Sequence, residues 1–514
     1  MAALLALAGC DMGSGQSGGS SAPPTIAAEE LRSAVTDARA RAFYEARNWQ
    51  AAWGEAQAEA LTAAIGEARR HGLDPRRYLR PVDAARSPAA REAALTGAAL
   101  AYADALARGQ ADPKRLHEIY ELPRPEVDVA AGLAAAVQAG NVPEWLAGLA
   151  PQDAEYRALS EAYMRYSREA AGQQAPALSG GDSIHVGDRD PRMPAIVASL
   201  RSHGYLPETQ PAQAGGGQQQ GQADGQLYTQ ELAAAVRRVQ QDYGLQPDGV
   251  IGGGTLDILN TTARDLARQL AVNLERRRWL TRNPTGTRID VNTAAAFLEY
   301  WRDGRLADRR IVVVGQPGWE TPPLASPIVR LVANPPWNVP ESIEQDELLA
   351  KGPAYLAENN FSRNSSGRLV QAPGPRSALG LVKFDMQNRH AIYLHDTPSK
   401  QGFTRAERHM SHGCIRVHDA VGFATMLAEH DGKRAEFERA LARRNDEGEP
   451  REGAIQLSNQ IPVRLLYHTA FVDNGGQLRF RPDPYGWDER VAEALGLAPR
   501  QRPQLRRIRG DVGP

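Results

Sequence analysis

The sequence predicts a multidomain α+β protein, and three observations along its 514 residues support this prediction. The first third is rich in alanine, and its apolar residues recur at the spacing of amphipathic helices. A shorter helical segment follows it. The last part alternates short runs of β-branched and aromatic residues with glycine and proline turns, which is typical of a mixed β-rich domain. A chain of this length has room for three or more domains.

The composition excludes two broad classes of protein. The formal net charge is −1, so nothing in the charge balance favours a nucleic acid or another polyanion as partner. The hydrophobic content is 42 %, which is ordinary for a globular protein. No apolar run reaches the roughly 20 residues that a membrane-spanning helix needs. We therefore expect neither a nucleic-acid partner nor a transmembrane helix.

The N-terminus predicts export. A short apolar run, Leu4–Leu7, leads into Leu-Ala-Gly-Cys ending at Cys10, which resembles a bacterial lipobox whose cysteine is lipidated. No lysine or arginine precedes Cys10, and this departs from such signals. We predict a signal and tether over residues 1–25, with a plain secretory signal as the alternative. Of the two cysteines, Cys414 would then remain a free thiol.

Residues 26–180 are predicted to form a helical scaffold domain. Apolar side chains recur at helical spacing between Phe43 and Ile65, and turn signals fall at 72–75 and 111–113. No charged cluster in this segment has catalytic spacing. We therefore expect a structural role for it.

Residues 190–265 are predicted to form a second, smaller helical domain. Its first helix covers 196–206 and ends at a glycine cap, Gly204. Residues 208–226 are rich in glutamine, glycine and alanine and carry almost no charge. Such a composition predicts a disordered loop within the domain.

The β-rich domain is predicted over residues 285–485. Asp419 has the position of an N-cap before a helix at Ala420–Glu429, and Asp473–Gly476 is a hairpin turn signal. A strand is predicted at Ala378–Phe384. After the domain, residues 496–514 form a basic tail that we expect to be loose.

A proline-bounded insertion at about 335–375 interrupts the β pattern. It contains a predicted short helix, Glu341–Leu349. The prolines at its two ends could act as hinges, which suggests that the insertion is a lid over a site. Trp337 and Tyr355 could line a substrate groove beneath it. The alternative for Trp337 is aromatic packing under the cap.

Cys414 is the candidate nucleophile of the chain. It lies in the segment SHGCIR at 411–416, and His395 precedes it by 19 residues at the end of an apolar run. A thiol attacks well only when it is deprotonated, and an imidazole that meets it in space can take its proton. Gly413 lets the backbone approach a substrate closely, so that N–H groups there can face a developing oxyanion.

Two other readings of this segment stay open at this point. A lone cysteine is often only a small buried apolar residue. A zinc site is the second alternative, because histidines and the cysteine are crowded there: His409, His412, Cys414 and His418. A nucleophilic thiolate must be free, so the catalytic reading predicts no bound metal.

The pattern from His395 to Arg416 resembles the signature of the L,D-transpeptidases, the YkuD-like enzymes. That signature is a histidine followed later by [Ser/Thr]-[His/Ser]-Gly-Cys-[Ile/Val]-Arg. The resemblance implies that Cys414 is the acylated nucleophile and His395 its base. It implies that Arg416 orders the site or meets a substrate carboxylate, with a structural ion pair as the alternative. The family generally holds its imidazole with a backbone carbonyl, so Asp396 need not be a triad acid.

The same resemblance extends to neighbouring residues and to the other domains. Ser411, His412 and Gly413 match the motif positions that hold the oxyanion or the substrate. The scaffold segment is similar, more loosely, to that of the long YcbB-type branch of the family. Residues 190–265 resemble three-helix peptidoglycan-binding repeats, although a helical spacer that binds nothing is the alternative.

The resemblance implies cysteine acyl transfer on peptidoglycan stem peptides. A donor tetrapeptide stem would acylate the thiol, and an acceptor stem would receive the acyl group in a 3→3 cross-link, without metal or organic cofactor. An L,D-carboxypeptidase, with water as acceptor, and a non-catalytic wall-binding lipoprotein are the alternatives. The implied location is the periplasm of a Gram-negative bacterium, with a membrane-anchoring lipid.

Overall fold

A computed structural model describes residues 22–171, 177–207 and 225–500. The signal and tether predicted at 1–25, the insert at 208–226 and the tail at 496–514 therefore lie mostly outside the described residues. The lipidation site predicted at Cys10 lies wholly outside them. These expectations stay predictions.

Helices make up the N-terminal half and recur beside the sheet of the C-terminal half. Their bounds are α1 Ala28–Ala34, α2 Ala38–Ala46, α3 Glu55–Gly66, α4 Arg76–Asp83, α5 Pro88–Arg108, α6 Pro113–Leu116, α7 Val129–Ala139, α8 Val142–Leu149, α9 Ala154–Glu169, α10 Met193–Ser202, α11 Gln230–Asp242, α12 Gly253–Leu259, α13 Ala263–Arg278, α14 Glu341–Ile343, α15 Gly352–Glu358, α16 Ala420–His430, α17 Arg434–Leu441 and α18 Trp487–Ala494.

The chain forms two compact units. The first is all-helical and contains α1–α5, α7 and α8. Its interior holds a buried carboxylate, Glu92, which accepts hydrogen bonds from the Tyr44 hydroxyl at 2.9 Å and the Ala52 N–H at 2.5 Å. Burial raises the pKa of Glu92. Because all its partners are donors inside the same unit, this network is structural, as expected for a scaffold.

The second unit contains the remaining helices and the strands. The strand bounds are β1 Arg288–Asn292, β2 Phe297–Arg302, β3 Arg305–Gly315, β4 Ile328–Ala333, β5 Trp337–Asn338, β6 Phe361–Arg363, β7 Leu369–Gln371, β8 Val382–Met386, β9 Leu394–His395, β10 His409–Ser411, β11 Ile415–Val417, β12 Gly453–Ile461, β13 Val463–Leu466, β14 Ala470–Val472 and β15 Leu478–Phe480.

Most strands join one mixed sheet in the order β12-β4-β8-β9-β11-β3-β2-β1-β13, with β10 pairing with β3. The helix α16 belongs to the core of this sheet through Phe423, whose ring lies 5.4 Å from that of Phe384. Asp419 begins the helix as predicted, because its carboxylate accepts the Gly422 N–H at 3.2 Å. The multidomain α+β fold predicted from the sequence is confirmed.

The smaller helical domain contains α10, α11 and α12 around one apolar core. The Gln240 amide lies inside it, accepting the Gly249 N–H at 2.9 Å and donating to the Val250 carbonyl at 2.9 Å. These bonds fix the loop that precedes α12. A three-helix arrangement was predicted for this domain, and the structure has it.

The insertion forms a cap with its own sheet, in the order β5-β7-β6. Its core is Val339, Leu348 and Leu369. The predicted helix at 341–349 is shorter than expected: α14 ends at Ile343, and Glu344–Leu348 forms a wider π-helical turn.

The ends of the cap are fixed by side-chain amides. The Asn334 amide donates to the Leu441 carbonyl at 3.1 Å, and Gln371 Oε1 accepts the Ala378 N–H at 2.9 Å. The cap therefore begins and ends at anchored positions.

Across residues 22–171, 177–207 and 225–500, no helix combines the length and apolar composition of a membrane span.

Candidate active site

His395 and Cys414 are brought together by two neighbouring parallel strands. In the pairing of β9 with β11, Leu394 lies opposite Ile415 and His395 opposite Arg416. Leu394 and Ile415 are fully buried in the core beneath the sheet. Since side chains alternate along a strand, His395, Cys414 and Arg416 share the opposite face.

The Cys414 thiol is half-buried and free. Its Sγ lies 3.8 Å from the Ala391 carbonyl oxygen, to which it donates a weak hydrogen bond. Burial raises the pKa of the thiol, whereas hydrogen bonds from Tyr393 and the positive charges of Lys383 and Arg416 lower it. The resting sulfur is therefore a neutral thiol that needs a base to lose its proton, and the two positive charges favour the thiolate once it forms.

The His395 ring is buried, and its Nδ1–H donates to the Asp396 carbonyl at 2.5 Å. This bond leaves Nε2 as the unprotonated nitrogen. Burial, together with the charge of Arg416, lowers the pKa of His395 to about 3. The imidazole is therefore neutral near pH 7 and able to accept a proton.

The Asp396 carboxylate has other partners than the imidazole. It accepts the Leu381 N–H at 3.0 Å and pairs with Lys400. The histidine thus meets the Asp396 main chain and not its carboxylate. This arrangement is the one that the family resemblance led us to expect.

The turn before the nucleophile is held by Ser411. Its hydroxyl donates to the Cys414 carbonyl at 2.6 Å and accepts the Gly413 N–H at 3.2 Å. Gly413 has φ 104°, which a residue with a side chain rarely adopts. The sequence led us to expect that the Gly413 N–H faces the oxyanion, but this N–H donates to the Ser411 hydroxyl instead. The Cys414 N–H has no acceptor among the described residues.

Tyr393 is a neighbour of the nucleophile that sequence reasoning missed. Tyr393 and Cys414 are close enough for each to shift the pKa of the other, and the Tyr393 ring lies 5.7 Å from that of His395. Burial and Cys414 raise the pKa of Tyr393. The alternation of side chains along a strand could have found it, because Tyr393 stands two residues before His395.

Two cations lie near the thiol. Lys383 is opposite His395 in the pairing of β8 with β9, and its Nζ lies 4.4 Å from the Tyr393 ring centre. Arg416 forms no ion pair within the part of the chain that the structure describes. A free guanidinium on the same face as the thiol suits a substrate carboxylate.

A loop behind Gly413 supports the turn. The Thr321 hydroxyl donates to the Gly413 carbonyl at 2.8 Å and accepts the Gly315 N–H at 2.9 Å. The Tyr485 hydroxyl donates to the Gly315 carbonyl at 2.7 Å. The end of β3 and the nucleophile turn are therefore joined by one hydrogen-bonded chain.

The cap contacts the motif directly. Glu347 pairs with His412 Nε2 at 2.5 Å. Trp337 packs against the cap core and lies close enough to Tyr393 to lower its pKa, so it adjoins the site. Tyr355 packs on the cap core and under the Lys351 ammonium. Of the two groove residues proposed from the sequence, Trp337 therefore lies beside the site, whereas Tyr355 packs within the cap.

The crowded histidines are not gathered as a ligand set. His409 contacts the Thr293 carbonyl at 2.8 Å, His412 contacts Glu347, and His418 packs on Phe403 with ring centres 5.3 Å apart. Within the described ranges, no group of three His, Cys, Asp or Glu side chains has the geometry to hold a metal ion.

Three family profiles match consecutive parts of the chain. The profile described as "L,D-transpeptidase catalytic domain" matches residues 286–434, which include the whole of the site above. This part of the chain is similar to the L,D-transpeptidase family. The profile "Scaffold domain" matches residues 38–163, and "Putative peptidoglycan binding domain" matches residues 190–259. The recognition of this long domain arrangement from the sequence is confirmed.

One curated relative is similar to part of this chain. A Haemophilus influenzae protein named "Putative L,D-transpeptidase" is 33 % identical over 251 residues, which is 44 % of this chain and 49 % of that protein. The chain thus spans about half the length of the curated relative that it matches.

Solved structures resemble it more distantly. The catalytic domain of an E. faecium L,D-transpeptidase acylated by ertapenem is 14 % identical, covering 36 % of this chain and 99 % of that one with a TM-score of 0.19. The Ldtfm–avibactam carbamoyl enzyme is 14 % identical, covering 42 % of this chain and 54 % of that one with a TM-score of 0.20.

Proposed function

We propose that this chain is a peptidoglycan L,D-transpeptidase whose nucleophile is Cys414. The observation that carries the proposal is the shared face of Tyr393, His395 and Cys414 inside a domain of that family. The substrates are a donor tetrapeptide stem and the amine of an acceptor stem. The product is a 3→3 cross-link.

The first half of the reaction acylates the enzyme. His395 Nε2 accepts the proton of the Cys414 thiol, and the sulfur attacks the carbonyl carbon of the third residue of the donor stem. The oxygen of the tetrahedral intermediate accepts hydrogen bonds from the Cys414 N–H and the Tyr393 hydroxyl. The bond to the terminal D-alanine breaks, the imidazolium returns its proton to the leaving amine, and a thioester remains.

The second half returns the enzyme to its starting state. The acceptor amine attacks the thioester carbonyl and loses a proton to His395, and the amide forms as the sulfur leaves. The sulfur takes the proton back from the imidazolium. Lys383 and Arg416 stabilise the thiolate in both halves, because each carries a positive charge near it.

Substrate binding is proposed for three places. Arg416 meets a carboxylate of the donor stem, and Trp337 and Tyr355 line a path beneath the cap. Residues 190–265 bind the wall polymer. Such a substrate implies an exported protein at the cell wall, and a lipid on Cys10 would hold it at a membrane.

The proposal is tested by incubating the purified protein with a disaccharide-tetrapeptide and analysing the products by mass. We expect 3→3 linked dimers with release of D-alanine. Tripeptide products without dimers would identify an L,D-carboxypeptidase, in which water takes the thioester. If the folded protein gives no product, the remaining interpretation is a non-catalytic wall-binding protein.

The pH dependence of acylation follows from the two pKa shifts. The pKa of His395 is lowered to about 3, so the base stays unprotonated from pH 5 upward, while the pKa of the Cys414 thiol is raised. We expect the single-turnover acylation rate to rise with pH from 5 to 9, with no loss from histidine protonation near pH 6.

Lys383→Gln should move this profile to higher pH, because it removes a positive charge that favours the thiolate. Arg434→Gln, an exposed arginine of α17 that pairs with Glu429 and Glu438, is the control and should leave the profile in place. A bell-shaped profile with a limb near pH 6 would contradict the assignment of His395 as a neutral base.

The cap should discriminate between large and small acylating agents. We propose that carbapenems acylate Cys414, because attack on a strained lactam carbonyl presents the same thiolate and oxyanion geometry. Deleting residues 352–367 removes α15 and β6. Muropeptide turnover should fall at least about tenfold more than carbapenem acylation, since only a long stem needs the groove.

The readout is intact-protein mass after drug exposure beside muropeptide kinetics. Glu358→Gln, a charge change inside the cap that keeps α15, serves as the control and should affect neither reaction. Equal slowing of both reactions in the deletion variant would mean that the cap supports the structure of the site and does not select substrates.

A further inference from the structure

The segment after α6 contributes a carboxylate to the surroundings of the candidate site. Glu121 lies within residues 38–163, which match the scaffold profile, and outside residues 286–434, which match the catalytic-domain profile. It nevertheless belongs to the same compact unit as the sheet, because that unit includes residues 108–126. The residues around the nucleophile therefore extend beyond the part of the chain that resembles the catalytic domain.

The main chain of Glu121 is fixed in place. Its sequence neighbours Tyr120 and Leu122 are both buried. Its own N–H donates to the Pro323 carbonyl at 2.7 Å. Pro323 lies two residues after Thr321, whose hydroxyl supports the nucleophile turn. The segment after α6 is therefore joined to the loop behind that turn.

The side chain of Glu121 reaches a second loop, which precedes β9. Its carboxylate accepts from His390 Nε2 at 2.9 Å and also pairs with Arg389. Arg389 is exposed, so this ion pair contributes little. The side chains of His390 and Glu121 are only 24 % and 23 % exposed, so the contact between them is the one that holds the loop.

The loop that Glu121 holds contains a strained residue. Ala391, next to His390, has φ 53°, a left-handed conformation that costs free energy for a residue with a side chain. Such a conformation persists only where the surrounding contacts fix it. The Asn388 side chain accepts the Ile392 N–H at 3.0 Å and fixes the end of the loop. Glu121 fixes its middle through His390.

The conformation of Ala391 determines what the nucleophile contacts. The Ala391 carbonyl oxygen lies 3.8 Å from Cys414 Sγ and accepts the thiol hydrogen. A carbonyl oxygen at this place stabilises the thiol, which can donate to it, and disfavours the thiolate, which it repels. If Ala391 relaxed to an ordinary conformation, this oxygen would move away from the sulfur.

We infer that Glu121 is a positioning residue for the Cys414 thiol. Through His390, its carboxylate holds the Ala391 carbonyl against the sulfur. The resting thiol therefore keeps one orientation, and keeps its proton until the base takes it. The role of Cys414 as nucleophile rests on the proposed function, whereas the contact between Glu121 and the loop does not.

The test is the pH profile of Cys414 alkylation by iodoacetamide in the whole protein, followed by the mass of the peptide that contains Cys414. Alkylation needs the thiolate, so the midpoint of the profile reports the pKa of the thiol. Glu121→Ala should lower this midpoint by about 0.5 to 1 unit, which is a roughly three- to tenfold larger thiolate fraction near pH 7. This variant leaves unchanged the charged and titratable groups that face the thiol: Lys383, Tyr393, His395 and Arg416.

Three further variants separate the contact from the charge of Glu121. Glu121→Gln removes the charge but keeps an oxygen that can accept from His390, so it should retain the wild-type midpoint. His390→Ala removes the partner and should lower the midpoint as much as Glu121→Ala does, with no further change in the double variant. Glu118→Ala removes an exposed glutamate from the same segment, and as the matched control it should leave the midpoint unchanged.

A folded Glu121→Ala protein with the wild-type midpoint would overturn the inference. An equal shift in Glu121→Gln would also overturn it, since the charge of Glu121 would then act and not its contact with His390. If Glu121→Ala does not fold, His390→Ala decides in the same way. The muropeptide assay is independent of this test: its failure would overturn the proposed function and leave the shift in place, because alkylation needs only the thiol.

Discussion

Cys414→Ala and His395→Ala should each reduce 3→3 cross-linking by at least about 10²- to 10⁴-fold, the contribution that a nucleophile or a general base supplies. Without the sulfur no thioester can form. Without the imidazole the thiol keeps its proton, because burial holds the pKa of Cys414 above its ordinary value. The two residues act as a unit, so the double variant should be no worse than either single one.

The measurement is the initial rate of dimer formation, with circular dichroism to verify folding. His418→Ala is the matched control: it removes a histidine from the same segment, but that side chain packs on Phe403. It should retain most of the activity. If the Cys414→Ala protein still forms more than about a tenth of the wild-type product, the nucleophile is a different residue.

Tyr393→Phe should have a smaller effect than either of these. It removes one hydroxyl from the thiol and from the proposed oxyanion site but leaves the ring beside His395. We expect a reduction of about 10- to 10³-fold in the acylation rate, which is the range for one oxyanion donor. A rate equal to that of wild type would remove Tyr393 from the mechanism.

The sequence predicted the elements whose signals are local. Asp419 begins a helix because its own carboxylate caps it, and the hairpin between β14 and β15 follows from a turn coded by four adjacent residues. The nucleophile motif is likewise contiguous. Such features need no knowledge of the rest of the chain.

Features set by distant partners were not predictable in the same way. The strand expected at Ala378–Phe384 begins only at Val382, because the Asp396 carboxylate accepts the Leu381 N–H and Gly380 turns with φ 58°. The apolar run before His395 is a strand only at its end, because β9 begins at Leu394. Ala391 there has φ 53°, in a turn held by the Asn388 side chain.

The contacts that surround the site are also made between residues that lie far apart in the sequence. The cap reaches His412 through Glu347, which lies 65 residues away along the chain. Thr321 reaches Gly413 across 92 residues. No periodicity or spacing in the sequence joins such pairs, so the motif identified the reacting groups but not the residues that position them.

Gly315→Ala should abolish most of the acylation activity although Gly315 contacts no reacting atom. A Cβ at this position would overlap the Trp319 carbonyl oxygen and lie 2.7 Å from the Thr321 nitrogen. The obstacle is backbone, which cannot move aside as a side chain can. The loop must therefore shift and release the Thr321 hydroxyl from the Gly413 carbonyl. Overpacking of this kind costs about 1–3 kcal/mol of unfolding free energy.

The effect on catalysis should exceed the effect on stability. A displacement of about 1 Å in the groups that position a nucleophile can cost 10²-fold in rate, so we expect about that loss in carbapenem acylation of Cys414. Gly402→Ala is the matched control, because its Cβ would meet Met410 and Val313 at an ordinary 3.4 Å. It should acylate at nearly the wild-type rate. If a folded Gly315→Ala protein is acylated at the wild-type rate, the hydrogen bonds that link Tyr485, Gly315, Thr321 and Gly413 do not position the nucleophile.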